Sequence, residues 1–182
     1  MGNLSENLNR CYQDNCEWLR FAENKLAALV VFNMAVAAAI LTVFDKNPLS
    51  IVFSVLLILP ALVALLGTFP DSFKISKIIP IKSPGEPRGD DNLLFYLHAC
   101  KYKTGTKADP DKGYKDYLTK FAEAVDSKLV INTDDNYYLY MLVTQIIQIS
   151  AVAYRKYKIY GYALFLDGIV LISMILAIII CA

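Results

Sequence analysis

The chain has 182 residues, of which 56% are apolar and 19% charged, and its net charge is +1. Soluble domains carry about 25% charged residues, and here the apolar excess falls into charge-free blocks at 26–44, 48–70 and 168–182. A soluble enzyme with one buried core is therefore excluded, and the net charge gives no electrostatic case for binding nucleic-acid polymers. The composition indicates an integral membrane protein.

The first half of the chain predicts a transmembrane hairpin. Residues 3–25 lack proline and repeat apolar residues at helical spacing, and nothing interrupts this helix before the block at 26–44. That block has nineteen residues, close to the roughly 20 that cross the hydrocarbon core. Residues 45–48 predict a tight turn, because proline disfavours helix at the residue before it and suits the start of the next helix. Residues 48–69 then return through the membrane, with Pro60 as an internal kink.

The central part predicts helices outside the membrane. Several prolines and glycines between 70 and 90 exclude a continuous helix and indicate an extended strap. We expect amphipathic helices at 91–103 and 114–128, the first of them capped by Asp90 or Asp91.

A last helix is expected from about residue 135 to the end of the chain, amphipathic at first and apolar enough to span over 160–182. The predicted fold class is an all-α membrane protein: a two-span transmembrane hairpin plus a C-terminal third span, with a small cytoplasmic helical bundle. The corresponding segments are 1–25 (cytoplasmic N-terminal helix), 26–69 (hairpin), 70–159 (cytoplasmic helical region) and 160–182 (third span).

The basic residues predict the orientation. Fourteen of the eighteen lie in 70–160, three in 1–25 and one in the 45–48 turn. Because cytoplasmic segments are enriched in Lys and Arg, we expect the N-terminus and the central segment to be cytoplasmic.

The sequence offers no catalytic centre. It contains neither a phosphate-binding glycine motif nor a nucleophile elbow. Cys11 and Cys16 do not have zinc-knuckle spacing, and the single histidine, His98, has no plausible metal companions. We therefore predict no catalytic residue, metal or cofactor, and a protein that is not an enzyme.

Two charged groups lie where the first and third spans enter the membrane, at 23–25 and 155–158. A cationic cluster between helices could bind an anionic ligand such as a nucleotide phosphate. The same cations, with the interleaved tyrosines, also fit a positive-inside collar and an interfacial belt. Farther along, Asp167 lies about a third of the way into the third span. It either reaches headgroup water or, if several chains assemble, lines a polar path between subunits.

Several segments resemble the Pycsar transmembrane effector family, and together they cover residues 20–180. In that family an acidic residue, a lysine and an alanine open the first span, an asparagine-plus-aromatics motif follows the strap, and a lysine–tyrosine motif opens the last span. The similar segments here are 21–29 with Asn33, 92–96, 117–118, and 153–158 with 162–163. The acidic position, usually Asp in the family, is Glu23 here.

The resemblance implies bacterial antiphage defence at the inner membrane. A partner cyclase makes cyclic CMP or cyclic UMP on infection, and the effector senses it and impairs the membrane, which causes abortive infection. The candidate ligand-binding residues are Lys25, Asn92, Phe95, Lys156 and Tyr157, with Arg155 added for its charge. A cation suits the cyclic phosphate, an amide suits a base edge or ribose hydroxyl, and an aromatic ring suits stacking. The expected partners are this nucleotide, membrane lipid and further copies of the chain.

Two other interpretations stay open on the sequence. One is a constitutive membrane interaction or immunity protein with no nucleotide ligand. The other is an enzyme acting on lipid or nucleotide, which lacks an exposed acid/base pair. A cyclase gene beside this one would favour the effector.

Overall fold

The computed structural model describes residues 2–43, 48–69, 81–103, 111–125 and 137–181. Residues 45–47 of the expected turn and the first half of the expected strap lie outside these ranges. The described residues are helical or irregular, with no strand among them. The helices are α1 (Gly2–Val43), α2 (Pro48–Thr68), α3 (Tyr96–Ala99) followed by a 3₁₀ turn (Cys100–Lys103), α4 (Lys112–Val125) and α5 (Tyr137–Cys181). The predicted all-α class is confirmed.

Among the residues that the structure describes, three helices are long and apolar enough to cross a membrane: α1, α2 and α5. Both α1 and α5 are single uninterrupted helices, as the absence of internal proline predicts. Large apolar side chains on these helices remain exposed, among them Val31, Phe165 and Ile179. An exposed apolar surface of this kind suits lipid and confirms the expected hairpin plus third span.

The chain divides into two compact units. The first, called the polar unit, comprises Met1–Arg20 and Lys82–Arg155, and the second, called the apolar unit, comprises Phe21–Ile81 and Lys156–Ala182. In the polar unit, α1, α4 and α5 pack around one core together with the 3₁₀ turn. This core includes Leu8 from α1, Tyr117 and Phe121 from α4, and Ile146 from α5. The expected small helical bundle is therefore present.

In the apolar unit, α1, α2 and α5 pack in successive layers along the helix axes. The buried face of α2 changes character along its length: Phe53 and Leu57 come first, and only small residues and Pro60 follow. The buried residues of this face are Ser50, Phe53, Ser54, Leu57, Pro60, Ala61, Ala64 and Gly67. Small residues allow close approach of helix backbones, which is how transmembrane helices gain packing energy.

The predicted cap at Asp90 or Asp91 is wrong. The helix begins only at Tyr96, and its N-cap residue, Phe95, makes no side-chain capping bond. Asp91 instead accepts a hydrogen bond from the Arg88 backbone N–H at 2.7 Å and from Lys101 Nζ at 2.5 Å. The carboxylate therefore ties the strap to the 3₁₀ turn, a role that the helical pattern alone did not distinguish from capping.

Gly67 of α2 lies against side chains of α1 and α5 in the apolar unit, and we expect Gly67→Ala to destabilise the protein. An added Cβ would lie 2.8 Å from Ile159 Cγ2 and 3.0 Å from Leu26 Cδ1. Because both neighbours are ends of flexible side chains, the expected loss of stability is about 1–2 kcal/mol. Thermal unfolding in detergent measures it. The control is Gly168→Ala, where a Cβ meets nothing within 4 Å; an equal loss in both variants would contradict the packing argument.

Candidate functional site

A cavity of about 720 Å³ lies inside the polar unit. It is bounded by the first four turns of α1, by residues 91–94 and by the end of α4. The lining residues are Asn7, Arg10, Cys11, Asp14, Asp91, Asn92, Leu93, Leu94, Phe121, Ala124 and Val125. Pockets of about 300–1,000 Å³ with an apolar wall and a few polar groups are typical of small-molecule sites.

The polar groups of the cavity come mainly from α1, with Arg10 and Asp14 exposed and one helical turn apart. A guanidinium binds a phosphate through two parallel hydrogen bonds, and a carboxylate accepts from hydroxyl or amino groups. The cavity therefore presents one anion-binding group and one acceptor-only group on the same helical face. Such a pair suits a ligand that combines a phosphate with a ribose or a base.

The carboxylate of Asp91 is held in place at the cavity wall. Burial by itself would raise the pKa of Asp91, but the hydrogen bonds from Lys101 and from the Arg88 backbone outweigh burial and hold the pKa below its usual range. The charge of Asp91 is thus compensated within the wall, which leaves the charges of Arg10 and Asp14 to act on a ligand.

Asn92 lies at the same wall in a locally constrained turn. Its side-chain Oδ1 accepts from the Leu94 backbone N–H at 3.0 Å, and its own backbone N–H donates to His98 Nδ1 at 2.8 Å. The side-chain oxygen of Asn92 therefore already accepts a hydrogen bond within the turn. The N–H groups of its side-chain Nδ2 are the ones that can donate to a ligand. Of the residues predicted from the sequence, Asn92 is the one among the lining residues.

Phe95 belongs to a cluster of aromatic rings in the polar unit. Its ring centroid lies 5.8 Å from that of Trp18, 4.8 Å from Tyr96 and 5.9 Å from His98. Edge-to-face contacts at these distances fix the orientation of the rings. Phe95 therefore supports the segment that carries Asn92.

Lys25 and Tyr157 come together in the apolar unit. The Lys25 ammonium lies 4.5 Å from the ring centroid of Phe21, 5.6 Å from Tyr157 and 5.5 Å from Tyr160. Cation–π attraction holds an ammonium at such a site. Lys25 and Tyr157 thus contact each other within the protein. Contact of either residue with a nucleotide stays a prediction.

Lys156 is also in the apolar unit, and it is 5% exposed. Its Nζ lies 3.0 Å from Glu23 Oε1 and 3.3 Å from the Thr68 carbonyl oxygen. This ion pair joins α1 to α5 and adds a bond to the end of α2. As with Lys25, a contact with ligand stays a prediction.

The remaining two candidates, Arg155 and Asp167, are neither among the lining residues of the cavity nor among the described contacts of Lys25 and Lys156. Arg155 belongs to the polar unit, and its Nε donates to the Ala151 carbonyl one turn earlier at 3.4 Å. Asp167 is in the apolar unit and 3% exposed, so its side chain faces neighbouring helices. The predicted ligand residues are therefore divided between the two units.

Asn7, Arg10 and Asp14 line the cavity but were not predicted as site residues from the sequence. Their helix was recognised from its apolar spacing, and the polar face opposite that spacing carried no motif. One signal was available, since an isolated arginine one turn from an aspartate on an amphipathic helix presents both to the same neighbour. Among the residues that the structure describes, no group of three His, Cys, Asp or Glu side chains could hold a metal ion.

Comparison with known proteins identifies the family. The model of the Pycsar effector protein domain matches residues 7–182, nearly the whole chain. Neither curated proteins nor solved structures gave a match. The matched range includes the cavity wall, the strap and all three membrane-crossing helices. The chain therefore belongs to the Pycsar effector family.

Proposed function

We propose that this Pycsar effector senses a cyclic pyrimidine mononucleotide, cyclic CMP or cyclic UMP, and impairs the bacterial inner membrane during phage infection. The observation that carries the proposal is the cavity of about 720 Å³ with Arg10 and Asn92 in its wall. The proposed action is non-enzymatic, because it requires only binding and a change in helix packing. The partner cyclase supplies the nucleotide.

In the proposed complex, Arg10 binds the cyclic phosphate and the Asn92 amide donates to the base or the ribose. The apolar part of the wall, with Leu93 and Phe121, covers the base. The cavity wall includes the first turns of α1, the helix that continues into the apolar unit. A ligand in the cavity therefore contacts a helix that also crosses the membrane, which provides a physical route from binding to membrane damage.

The test is calorimetric titration of the purified full-length protein in detergent with cyclic CMP, cyclic UMP and cyclic AMP. We expect a pyrimidine nucleotide to bind and Arg10→Ala to weaken it at least about tenfold, the scale of a lost charge-assisted hydrogen bond. The matched control is Arg20→Ala, an exposed arginine on the same helix that is not among the lining residues. Failure of both pyrimidine nucleotides to bind, or equal affinity of both variants, would refute the proposed site.

We also propose that the N-terminus and the polar unit are cytoplasmic, as the distribution of basic residues suggests. Cys100 cannot report on this, because it is buried and burial raises the pKa of its thiol to about 12. An exposed reporter on α4, Thr119→Cys, avoids the difficulty. In intact cells an impermeant maleimide should label Cys181 and spare Thr119→Cys, each measured in a protein that lacks the other of these two thiols. Equal labelling rates at the two positions would contradict the proposed orientation.

A further inference from the structure

Over 26–40 of α1 and 159–170 of α5, the packed faces in the apolar unit each include one buried polar side chain, Asn33 and Asp167. The buried residues in these ranges are Leu26, Leu29, Asn33, Ala37 and Ile40 on α1, and Ile159, Ala163, Asp167 and Val170 on α5. Every step is three or four residues, so each set lies on one face of its helix. Asn33 and Asp167 thus occupy positions that apolar side chains fill elsewhere in these two ranges.

The packing on either side places the two residues at one level. The layer before them contains Leu26, Leu29, Ile159 and Ala163, and the layer after them contains Ala37, Ile40 and Val170. Earlier residues of α1 therefore meet earlier residues of α5, and later residues meet later ones. Asn33 and Asp167 fall between these two layers, on the faces that the helices turn towards each other.

Both side chains contain buried polar atoms without a hydrogen-bond partner among the described residues. Asn33 is 0% exposed, and both its Oδ1 and its Nδ2 have no partner among the described residues. Asp167 is 3% exposed, and its Oδ1 is likewise without one. In hydrocarbon each unsatisfied polar group costs several kcal/mol, and an ionised carboxylate costs more. A neutral pairing would remove both costs.

We propose that Asn33 and Asp167 form a proton-binding site within the membrane-crossing helices. On protonation, the carboxyl of Asp167 would donate its O–H to Asn33 Oδ1 and its carbonyl oxygen would accept from Asn33 Nδ2. Neither Asn33 atom has a partner among the described residues as the structure stands, so the pairing requires a change of side-chain rotamer. An amide and a carboxylic acid are complementary in this way, and the pair has no net charge. The proposal is independent of nucleotide sensing and holds whether or not the cavity binds a nucleotide.

The surroundings of the layer favour the neutral acid. From α2 the residues at this level are Pro60 and Ala61, and α1 and α2 carry no ionisable side chain over 26–43 or 48–68. On α5 the nearest charged residue before Asp167 is Lys158, nine residues or about 13 Å along the axis. Buried Lys156 lies on the same face of α5 as Asp167, but it is eleven residues away and is paired with Glu23. The described residues thus offer no cation that would compensate an ionised Asp167.

Infrared spectroscopy of the full-length protein in lipid bilayers, labelled with ¹³C-aspartate, tests the site. At pH 7 we expect the carbonyl stretch of one protonated carboxylic acid, shifted by the label and absent in Asp167→Asn. In Asn33→Leu, which keeps the size of the side chain but removes the amide, the band should move to the frequency of a free acid. The proposal would be overturned if no protonated-acid band were present at pH 7, or if the frequency of the band were the same in Asn33→Leu as in the original protein.

A second variant keeps the test decisive if Asn33→Leu does not fold. The exchange Asn33→Asp with Asp167→Asn retains one acid and one amide at the same level. We expect it to restore the hydrogen-bonded acid band and a melting temperature within a few degrees of the original. An ionised carboxylate in the folded exchange variant would show that the site does not hold a proton.

Discussion

Replacing Tyr117 by alanine is expected to lower the free energy of unfolding by about 3–5 kcal/mol, the range for deleting a buried aromatic side chain. Tyr117 is 0% exposed, and its ring centroid lies 5.3 Å from that of Tyr102 and 6.0 Å from that of Phe121. Its hydroxyl donates to the Leu93 carbonyl at 2.6 Å. Deletion therefore opens a void in the core of the polar unit and removes the donor to the cavity wall. Denaturation of the detergent-solubilised protein measures the loss.

The conservative variant Tyr117→Phe isolates the hydrogen bond. It keeps the ring but leaves the Leu93 carbonyl without this donor, and we expect a loss of about 1–2 kcal/mol. Tyr137→Phe is the matched control, because Tyr137 is 73% exposed and should tolerate the change. If Tyr117→Phe were as stable as Tyr137→Phe, the bond to Leu93 would have no part in holding the wall.

Glu23→Ala is expected to destabilise the apolar unit by about 3 kcal/mol, because it leaves the buried Lys156 ammonium without its counterion. The reverse change, Lys156→Met, should cost less than about 1 kcal/mol, since Glu23 is half exposed and stays hydrated. The asymmetry follows from which partner is buried. Thermal unfolding of both single variants and of the double variant measures it, and the double variant should resemble Lys156→Met.

The same variants decide between two roles of Lys156. A stable Lys156→Met protein that binds a pyrimidine nucleotide normally would make Lys156 a structural residue. A stable protein with weakened binding would make it a ligand contact, as the sequence analysis predicts. Equal destabilisation by Glu23→Ala and Lys156→Met would contradict the burial argument.

The long helices could be predicted from the sequence because their patterns are local. Charge-free blocks, proline positions and apolar spacing are properties of neighbouring residues, and they give α1, α2 and α5 within a few residues of the observed bounds. The predicted start of α3 was wrong because it depends on contacts between residues that are not neighbours in the sequence. Asp91 has the chemistry of a helix cap. Its actual partners are the Arg88 backbone N–H and Lys101 Nζ, and the path of the strap determines that these groups lie beside it.

The candidate site was less predictable because its groups meet only through tertiary packing. Arg10 and Asn92 are 82 positions apart and line one cavity only once α1 lies beside residues 91–94 and α4. The pairing of Lys156 with Glu23 is likewise set by the register of α5 against α1. Charge and hydrophobicity along the chain identify such residues as candidates, but they do not specify the neighbours.

The changing character of the buried face of α2 has a mechanical consequence. Its first half carries the large side chains of Phe53 and Leu57, whereas Ala61, Ala64 and Gly67 present an almost smooth ridge. Pro60 separates the two halves and removes one backbone hydrogen bond, which lowers the bending stiffness of the helix there. The later half of α2 is therefore easier to tilt about Pro60 than the same length of a proline-free helix would be. The facing side chains nearest to Gly67 are those of Leu26 and Ile159.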